Sequence, residues 1–217
     1  MQLETNRLIL RAWTEADAVE LYKYASDPEV GPPAGWPPHT SVENSCEIIR
    51  NVLSRLETYA VCLKTGNPIG SIGLHLKGHT DMTNRDDECE LGYWIGKPFW
   101  GQGLIPEAAQ ELLRYAFEDL GMRAVWCGYY EGNEKSRRVQ EKLGFVYQHK
   151  TEGLEVSLIN EVRTGHCNLM TRERWQTVQL FLNQKKTLDK FLERGAISQA
   201  QYDKSLGDLR EKMGVKL

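Results

Sequence analysis

The fold is decided by the stretch Trp100-Gly-Gln-Gly103-Leu-Ile-Pro106-Glu107. Its two glycines let the backbone approach a ligand closely, and a helix beginning just after them offers unpaired N–H groups and a partial positive charge. Pro106 suits the first turn of that helix, where its missing N–H would have no partner. The stretch therefore predicts a turn that binds phosphate or pyrophosphate, and a tight strand-to-helix connection is the alternative. A P-loop is excluded because Gly-Lys-Ser/Thr is absent, and the dinucleotide fingerprint is excluded because its third glycine is missing.

Periodic segments surround this turn. Glu88–Ile95 is typical of a strand, and the helix after the turn carries an apolar stripe that ends at Gly121. The stripe consists of Ala109, Leu112, Leu113, Ala116, Phe117 and Leu120. Beyond it, the pattern predicts a strand over 123–130, a short helix over 133–143, and two closing strands over 145–150 and 167–171. This order indicates an α/β protein with one mixed sheet and packed helices.

The first third of the chain contributes strands and helices to the same sheet. A strand is expected over 7–13, followed by a helix that Thr14 caps and that stops near Pro28. Residues 31–39, GPPAGWPPH, contain too many prolines for regular structure and predict a stiff loop. Further along, Ser41 is expected to cap a second helix, and the pattern then predicts a hairpin of two strands over 58–64 and 68–77.

The chain changes character after about Trp175. Apolar residues at helical spacing, a glycine at 195 and the capping-box pattern Ser198-x-x-Gln201 predict a helical hairpin. We therefore expect one domain over residues 1–175 and an appended hairpin over 176–217. So short a hairpin buries too little apolar surface to be stable alone. It is expected to pack either on its own domain or on a second copy of the chain, which would give a homodimer.

Composition excludes several classes of function. The 217 residues carry a formal net charge of −3, so the chain has no basic surface typical of nucleic-acid or membrane binding. The N-terminal residues lack the apolar stretch of a signal peptide, and no later stretch is apolar enough to span a membrane. Five cysteines without a CxxC pair indicate neither a disulfide framework nor a zinc site. We expect free thiols, a cytoplasmic location and no metal.

Three further motifs point to a known family. They are Glu4-Thr-Asn-Arg7 near the start, Glu90-Leu-Gly-Tyr-Trp-Ile95 before the glycine turn, and Asn133-Glu-Lys-Ser136 with Gly144-Phe145 after it. In register with the turn, they resemble the GCN5-related N-acetyltransferase (GNAT) superfamily, in the branch of the ribosomal-protein N-terminal acetyltransferases. The resemblance covers about Leu3 to Trp175. It implies the GNAT fold, here with an appended helical hairpin.

The same resemblance implies the reaction. A member of this branch transfers an acetyl group from acetyl-CoA to a primary amine, which is a protein N-terminus or a small molecule, by direct attack in a ternary complex. A non-catalytic CoA-binding protein and an enzyme that uses another acyl-CoA are the alternatives.

The resemblance also implies the cofactor-binding residues. The pantetheine arm would lie along the backbone of Tyr93, Trp94 and Ile95, and the pyrophosphate would meet Gly101, Gln102, Gly103, Leu104 and Ile105. Asn133 and Ser136 would complete the site. The chain departs from the wider superfamily at Trp100, where Gln or Arg is usual, and at Ile105, where Gly or Ala is usual. Trp100 is common in this branch, whereas Ile105 makes a phosphate contact at its own position an open question.

Acetyl transfer needs a base for the amine and an acid for the departing thiolate. Glu90 is the predicted base, acting through water, because it lies on the central strand beside the expected thioester. Pairing with a neighbouring Lys or Arg is its structural alternative, and His75 and His79 are alternative bases. A backbone N–H from residues 93–95 would meet the oxyanion.

Ser136 is the predicted acid, positioned by Asn133, which is also expected to cap its helix. Tyr129 and Tyr130 are alternative acids.

The acceptor side is less defined by the sequence. Trp36, in the proline-rich loop, is the predicted substrate-binding residue together with Glu90, because that region shapes the acceptor cleft in the family. Negative charge nearby would favour a cationic amine, with a solvated acidic loop as the alternative. The residues that carry this charge are Asp81, Asp86, Asp87 and Glu88.

Overall fold

A computed structural model of the chain describes residues 2–215 and 217. These residues form one eight-stranded sheet in the order β1-β2-β3-β4-β5-β6-β8-β7. The neighbouring strands pair antiparallel, except that β5 and β6 are parallel. The strands are β1 (Leu3–Glu4), β2 (Leu8–Arg11), β3 (Thr58–Leu63), β4 (Pro68–His75), β5 (Glu88–Ile95), β6 (Ala124–Tyr130), β7 (Val146–Val156) and β8 (Glu161–Thr171).

Helices cover both faces of the sheet, as the predicted mixed α/β architecture requires. They are α1 (Ala18–Ala25), α2 (Val42–Ile48), α3 (Leu104–Arg114), α4 (Glu134–Leu143), α5 (Arg172–Glu193) and α6 (Gln199–Met213). The predicted apolar stripe lies on α3 and on the π-helical turn that follows it (Tyr115–Asp119), because the helix changes to π geometry before Gly121. The stripe packs into the main core against β2 to β6, whereas α1 and α2 close a second core on the opposite face. No helix in the described part of the chain is both long and apolar enough to cross a membrane.

The two central strands, β5 and β6, pair over only part of their length. β5 and β6 pair only from Glu88 opposite Ala124 to Glu90 opposite Trp126. Beyond that point β5 continues along β4, and β6 continues along β8. The facing edges of β5 and β6 are therefore left without a strand partner after Glu90, which opens a gap between them.

Three predicted segments differ from the structure. The closing strands β7 and β8 each span eleven residues, because they form a long hairpin that extends past the segments with strand-like sequence. The proline-rich loop contains a short 3₁₀ turn at Pro32–Ala34, since consecutive prolines fit the start of such a turn. Helix α5 begins at Arg172, capped by Thr171, and so runs across the predicted boundary after residue 175.

The predicted C-terminal helical hairpin is present as α5 and α6. A small apolar core holds the two helices together, formed by Val178, Phe181, Leu206 and Val215. The Arg174 side chain donates hydrogen bonds to the backbone oxygens of Gly144, 3.2 Å away, and Met213, 3.5 Å away. The first contact joins α5 to the residue that follows α4, and the second joins α5 to the end of α6.

Candidate functional site

The glycine turn has the geometry of an open backbone cradle. Gly101 and Gly103 adopt left-handed φ values of 76° and 72°, which side-chain-bearing residues rarely adopt. No atom lies within 4 Å of the position that a Cβ of Gly101 would occupy. Helix α3 starts at Leu104 without a side-chain cap, so its first N–H groups stay available to an anion. The residues present therefore fit a pyrophosphate.

An ion pair between residues far apart in the sequence holds the glycine turn in place. The Arg7 side chain binds Glu107, in the first turn of α3, with Nε 2.6 Å from Oε2. Arg7 also donates to the backbone oxygen of Gln102 at 3.1 Å, and Thr5 donates to Glu107 at 2.6 Å. The turn between β1 and β2 thus contacts both the glycine turn and the first turn of α3. Sequence reasoning missed this contact, because the partners lie about a hundred residues apart.

Side chains within the turn pack away from the cradle. Leu104 and Ile105 are buried, so the bulk of Ile105 points into the protein and leaves its backbone at the helix start. The Trp100 indole donates to the backbone oxygen of Ile95 at 2.9 Å, which engages one of the predicted cofactor-binding groups. Lys135, from α4, sits 3.3 Å above the centre of the Trp100 ring.

Alternation along β5 separates the predicted site residues onto two faces. Tyr93 and Ile95 pack against the main core under α3. Trp94 packs with the second core, and Glu90 shares its face because residues four apart on a strand point the same way. The strand therefore places the predicted base on one face of the sheet and the Tyr93 side chain on the other.

Glu90 lies in a polar cavity of about 490 Å³, which is lined by Arg55, His75, Gly78, His79, Thr80, Asp81 and Glu90. Thr80 donates to Glu90 Oε2 at 2.6 Å. Burial and nearby Asp81 raise the pKa of the Glu90 carboxyl, although the Thr80 hydrogen bond opposes them. Neither Lys nor Arg pairs with Glu90 among the described residues, so the surface-pair alternative does not apply.

His75 is the immediate neighbour of Glu90. The two residues are cross-strand partners between β4 and β5, and the His75 ring lies over Gly92, with Nε2 2.6 Å from where a Cβ would stand. Burial, together with Arg55 and His79, lowers the pKa of His75. The lowered pKa favours the neutral imidazole, and His75 lines the same cavity as Glu90.

Ser136 and Tyr93 meet on the opposite face. Their hydroxyl oxygens are 3.0 Å apart, and the Ser136 N–H donates to Asn133 Oδ1 at 3.1 Å, which confirms the predicted cap. Burial raises the pKa of Tyr93 well above its ordinary value, so the phenol stays protonated. The rival acids lie elsewhere: Tyr129 stacks on a histidine of β8, and Tyr130 lies under the Arg163 guanidinium.

Trp36 lies on the Glu90 side of the sheet. Its ring meets Trp94 edge-on at 5.7 Å, and it packs beside His39. The loop that carries it is held over the ends of β6 and β8, because Asn133 Nδ2 donates to Pro33 O at 3.1 Å and Arg163 donates to Pro32 O at 2.6 Å. The structure thus brings Trp36 to the face that carries Glu90.

The acidic residues near the site separate into two groups. Asp86 pairs with Lys77, Asp87 pairs with Arg85, and Glu88 accepts hydrogen bonds from Thr83 and the Trp126 indole. Asp81 lines the Glu90 cavity instead. Asp81 therefore supplies the negative charge beside Glu90, and the remaining acids are engaged by neighbouring side chains.

Comparison with known families confirms the resemblance seen in the sequence motifs. Residues 7–146 match the model of the family described as "Acetyltransferase (GNAT) domain". This range includes the glycine turn, Glu90 and the Asn133–Ser136 segment.

Similar proteins include two from Bacillus. The chain is 43% identical over 96 residues to "Putative ribosomal N-acetyltransferase YdaF" of Bacillus subtilis, a match that covers 44% of this chain and 50% of that protein. It is 30% identical over 149 residues to "Uncharacterized N-acetyltransferase p20" of Bacillus licheniformis, covering 66% of this chain and 81% of that protein. Among solved structures, a GNAT-family acetyltransferase from Bacillus anthracis has the same fold, with a TM-score of 0.69 and 20% identity over 80% of this chain and 99% of that chain.

Proposed function

Because the chain belongs to the acetyltransferase (GNAT) family and carries the domain of an acetyl-CoA-dependent N-acetyltransferase, we propose that it acetylates a primary amine by direct attack in a ternary complex. One observation carries this proposal. At the point where β5 and β6 stop pairing, a carboxyl group and a pair of hydroxyl groups lie on opposite faces of one strand. A base and an acid are the two groups that the transfer needs.

The proposed chemistry assigns one role to each face. Glu90 takes a proton from the amine through water, and the amine nitrogen attacks the thioester carbon. The C–N bond forms, the C–S bond breaks, and the sulfur leaves with the electron pair and receives a proton from the Ser136–Tyr93 pair. A backbone N–H group from residues 93–95, on the edge of β5 that β6 leaves, would stabilise the oxyanion.

The glycine turn and its neighbours would hold acetyl-CoA. The open backbone at Gly101 and Gly103 and the uncapped start of α3 suit the pyrophosphate, while Asn133 and Ser136 border the gap that would take the pantetheine arm. Acetyl-CoA supplies the activated acetyl group when bound. Gln102, Leu104 and Ile105 would contribute through their backbone.

Substitution of Gly103 by alanine tests this cofactor site. Its φ of 72° makes the change strained by about 1–2 kcal/mol, and relaxation of the turn should weaken acetyl-CoA binding about tenfold in calorimetry. The matched control is Gly195→Ala in the C-terminal hairpin, where φ is 67° and no atom lies within 4 Å of the Cβ position. At Gly103 the nearest atom to that position is Arg7 Nη2, in ordinary contact at 3.8 Å. Equal affinities for both variants would argue against the turn as the cofactor site.

The acceptor is proposed to be a cationic amine, either a protein N-terminus or a small molecule. Asp81 and Glu90 in one cavity support a cationic group, and Trp36 beside Trp94 offers aromatic surface next to it. The Bacillus subtilis relative is named a putative ribosomal N-acetyltransferase, which supports a ribosomal acceptor.

Release of free thiol from acetyl-CoA tests both the activity and the acceptor. The assay compares N-terminal peptides of ribosomal proteins, polyamines, amino sugars and amino acids. Turnover with one class identifies the acceptor. Binding of acetyl-CoA without turnover on any amine would indicate a non-catalytic CoA-binding protein, and turnover only with longer acyl-CoA molecules would change the assigned donor.

We propose that residues 1–175 are the catalytic domain and that residues 176–217 are an accessory hairpin that also mediates a homodimer. Leu180 and Phe191 support the second role, since each leaves about half of its side chain exposed (50% and 45%) on α5. Light scattering of the full chain tests it, because a monomeric mass would overturn the dimer. The five free thiols support a reducing, cytoplasmic setting.

A further inference from the structure

The cavity around Glu90 contains a cation as well as acids. Its lining includes Arg55, which lies in the turn before β3, together with Asp81 and Glu90. The cavity volume of about 490 Å³ lies within the range of sites that hold a small molecule. The proposed base therefore shares one cavity with residues of both charge signs.

Arg55 has no protein partner for its charge. Its guanidinium makes neither an ion pair nor a hydrogen bond with any residue that the structure describes, and the side chain is exposed. Arg50, on the segment just before it, differs, because its guanidinium binds both carboxylate oxygens of Glu15, at 2.7 and 2.6 Å. A guanidinium is a fork of donors that matches a carboxylate, so Arg55 is available to an anionic group.

The sheet sets the order of these groups across the cavity. The strands β3, β4 and β5 are consecutive neighbours, and His75 of β4 is the cross-strand partner of Glu90 of β5. Next to His75, the Leu74 N–H donates at 2.9 Å to the backbone oxygen of Glu57, which follows Arg55 closely in the chain. The cavity thus runs from Glu90 past His75 to Arg55.

The electrostatic effects of the two charged residues agree with this order. Burial and Asp81 raise the pKa of Glu90, whereas burial and Arg55 lower the pKa of His75. Asp81 therefore acts at the Glu90 end of the cavity, and Arg55 acts at the His75 end. A ligand that complements both ends has an amine at the first and an anionic group at the second.

We propose that Arg55 determines acceptor specificity by binding a carboxylate of the acceptor while the amine of the same molecule lies beside Glu90. This inference rests on the proposed function and narrows its acceptor to amines that also carry a carboxylate. A carboxylate fits better than a phosphate, because one guanidinium balances one negative charge and Asp81 repels a dianion more strongly. The carboxylate belongs to a free amino acid or to an acidic side chain at the start of a peptide, which present the same two groups.

Matched pairs of acceptors test the carboxylate. One arm compares free amino acids with their α-carboxamides. The other compares C-terminally amidated tripeptides that begin with Asp or Glu with tripeptides that begin with Asn or Gln. Each pair keeps its shape and differs by one negative charge. Release of free thiol from acetyl-CoA gives kcat/KM for each acceptor, and the arm with the larger preference for the carboxylate form identifies the source of the carboxylate.

Substitution of Arg55 should reduce this preference. Arg55→Met keeps an unbranched stem without the charge, so the preference should fall about tenfold, through a higher Michaelis constant for the carboxylate form alone. Arg55→Lys keeps the charge without the fork and should keep part of the preference. Amidation also changes the pKa of the acceptor amine, and comparison between variants removes this effect because it belongs to the acceptor.

The matched control is Arg194→Met. Arg194 is an exposed arginine that follows α5, and it likewise makes no ion pair within the described part of the chain. This variant should keep the full preference. Acetyl-CoA affinity in calorimetry should stay within about twofold in every variant, since the glycine turn is untouched, and Arg55→Gln replaces Arg55→Met where a thermal melt shows the latter to be unfolded.

The outcomes separate this inference from the proposed function. A fall of less than about threefold in the preference of Arg55→Met would overturn the role of Arg55. A best acceptor without a carboxylate, such as a polyamine, would overturn the acceptor class. Both results leave an active acetyltransferase. Absence of turnover on every amine would overturn the proposed function itself, and this inference with it.

Discussion

The two faces of β5 differ in how their polar side chains are surrounded. On the carboxylate face, Glu90 stands in an open polar cavity with a single hydroxyl donor, Thr80. On the phenol face, Tyr93 meets a closed network that runs through Ser136 and Gln140. A base must exchange protons with incoming acceptors and water, whereas a donor to the thiolate must keep one hydrogen in one direction. The open cavity therefore suits Glu90 as a base, and the hydrogen-bonded network suits Tyr93 as a donor.

The largest expected effect falls on the carboxylate face. Glu90→Gln keeps the shape and the Thr80 contact but removes the base, so turnover on the best amine should fall by about 100-fold or more. Acetyl-CoA affinity should stay within about twofold, because the glycine turn is untouched. Asp86→Asn, an exposed acid paired with Lys77, is the control and should keep full activity. A comparable loss in both variants would indicate a general charge effect instead.

A smaller loss is expected on the phenol face. Tyr93→Phe removes the donor for the thiolate, so the turnover number should fall about tenfold with little change in the Michaelis constant for the amine. Steady-state kinetics with the same amine measures both. The control is Tyr147→Phe, at a tyrosine of β7 that is 52% exposed. A tenfold rise in the Michaelis constant for the amine would instead place Tyr93 in the acceptor site. The two faces of β5 would then not have separate roles.

The aromatic pair beside Glu90 should affect the acceptor alone. Trp36→Leu removes the edge-on contact with Trp94 and exposes the cleft, and the Michaelis constant for the amine should rise about fivefold. Acetyl-CoA affinity, measured by calorimetry, should not change. If cofactor affinity falls instead, the proline-rich loop belongs to the cofactor site rather than to the acceptor site.

Local signals allowed much of the fold to be predicted. The apolar stripe of α3, the cap at Asn133 and the strand Glu88–Ile95 each depend on residues a few positions apart, and the structure has all three. The two glycines of the predicted turn both adopt positive φ values. Short-range patterns therefore predicted the helices and strands and their order, and the resemblance of the motifs predicted the family.

Long-range contacts escaped prediction for a physical reason. The Arg7–Glu107 pair and the Asn168–Gln140 hydrogen bond join residues that only the folded sheet brings together. Neither residue type signals its partner, because arginine and glutamine are ordinary on exposed surfaces. The length of the hairpin between β7 and β8 was missed similarly, since most of β7 is exposed and lacks a pattern of alternating buried and exposed residues.

The smallest expected effect concerns which of two residues in the cavity, Glu90 or His75, is the base. Burial raises the pKa of Glu90 and lowers that of His75, so it favours the neutral form of both groups. A base is active when deprotonated, so kcat/KM should fall as the pH drops through the raised pKa of Glu90. His75→Gln should keep this acid limb and stay within about twofold of the full rate, because Glu90 accepts its hydrogen bond from Thr80 and the His75 ring lies over Gly92. Loss of the limb in His75→Gln, with the limb retained in Glu90→Gln, would move the role of base from β5 to β4.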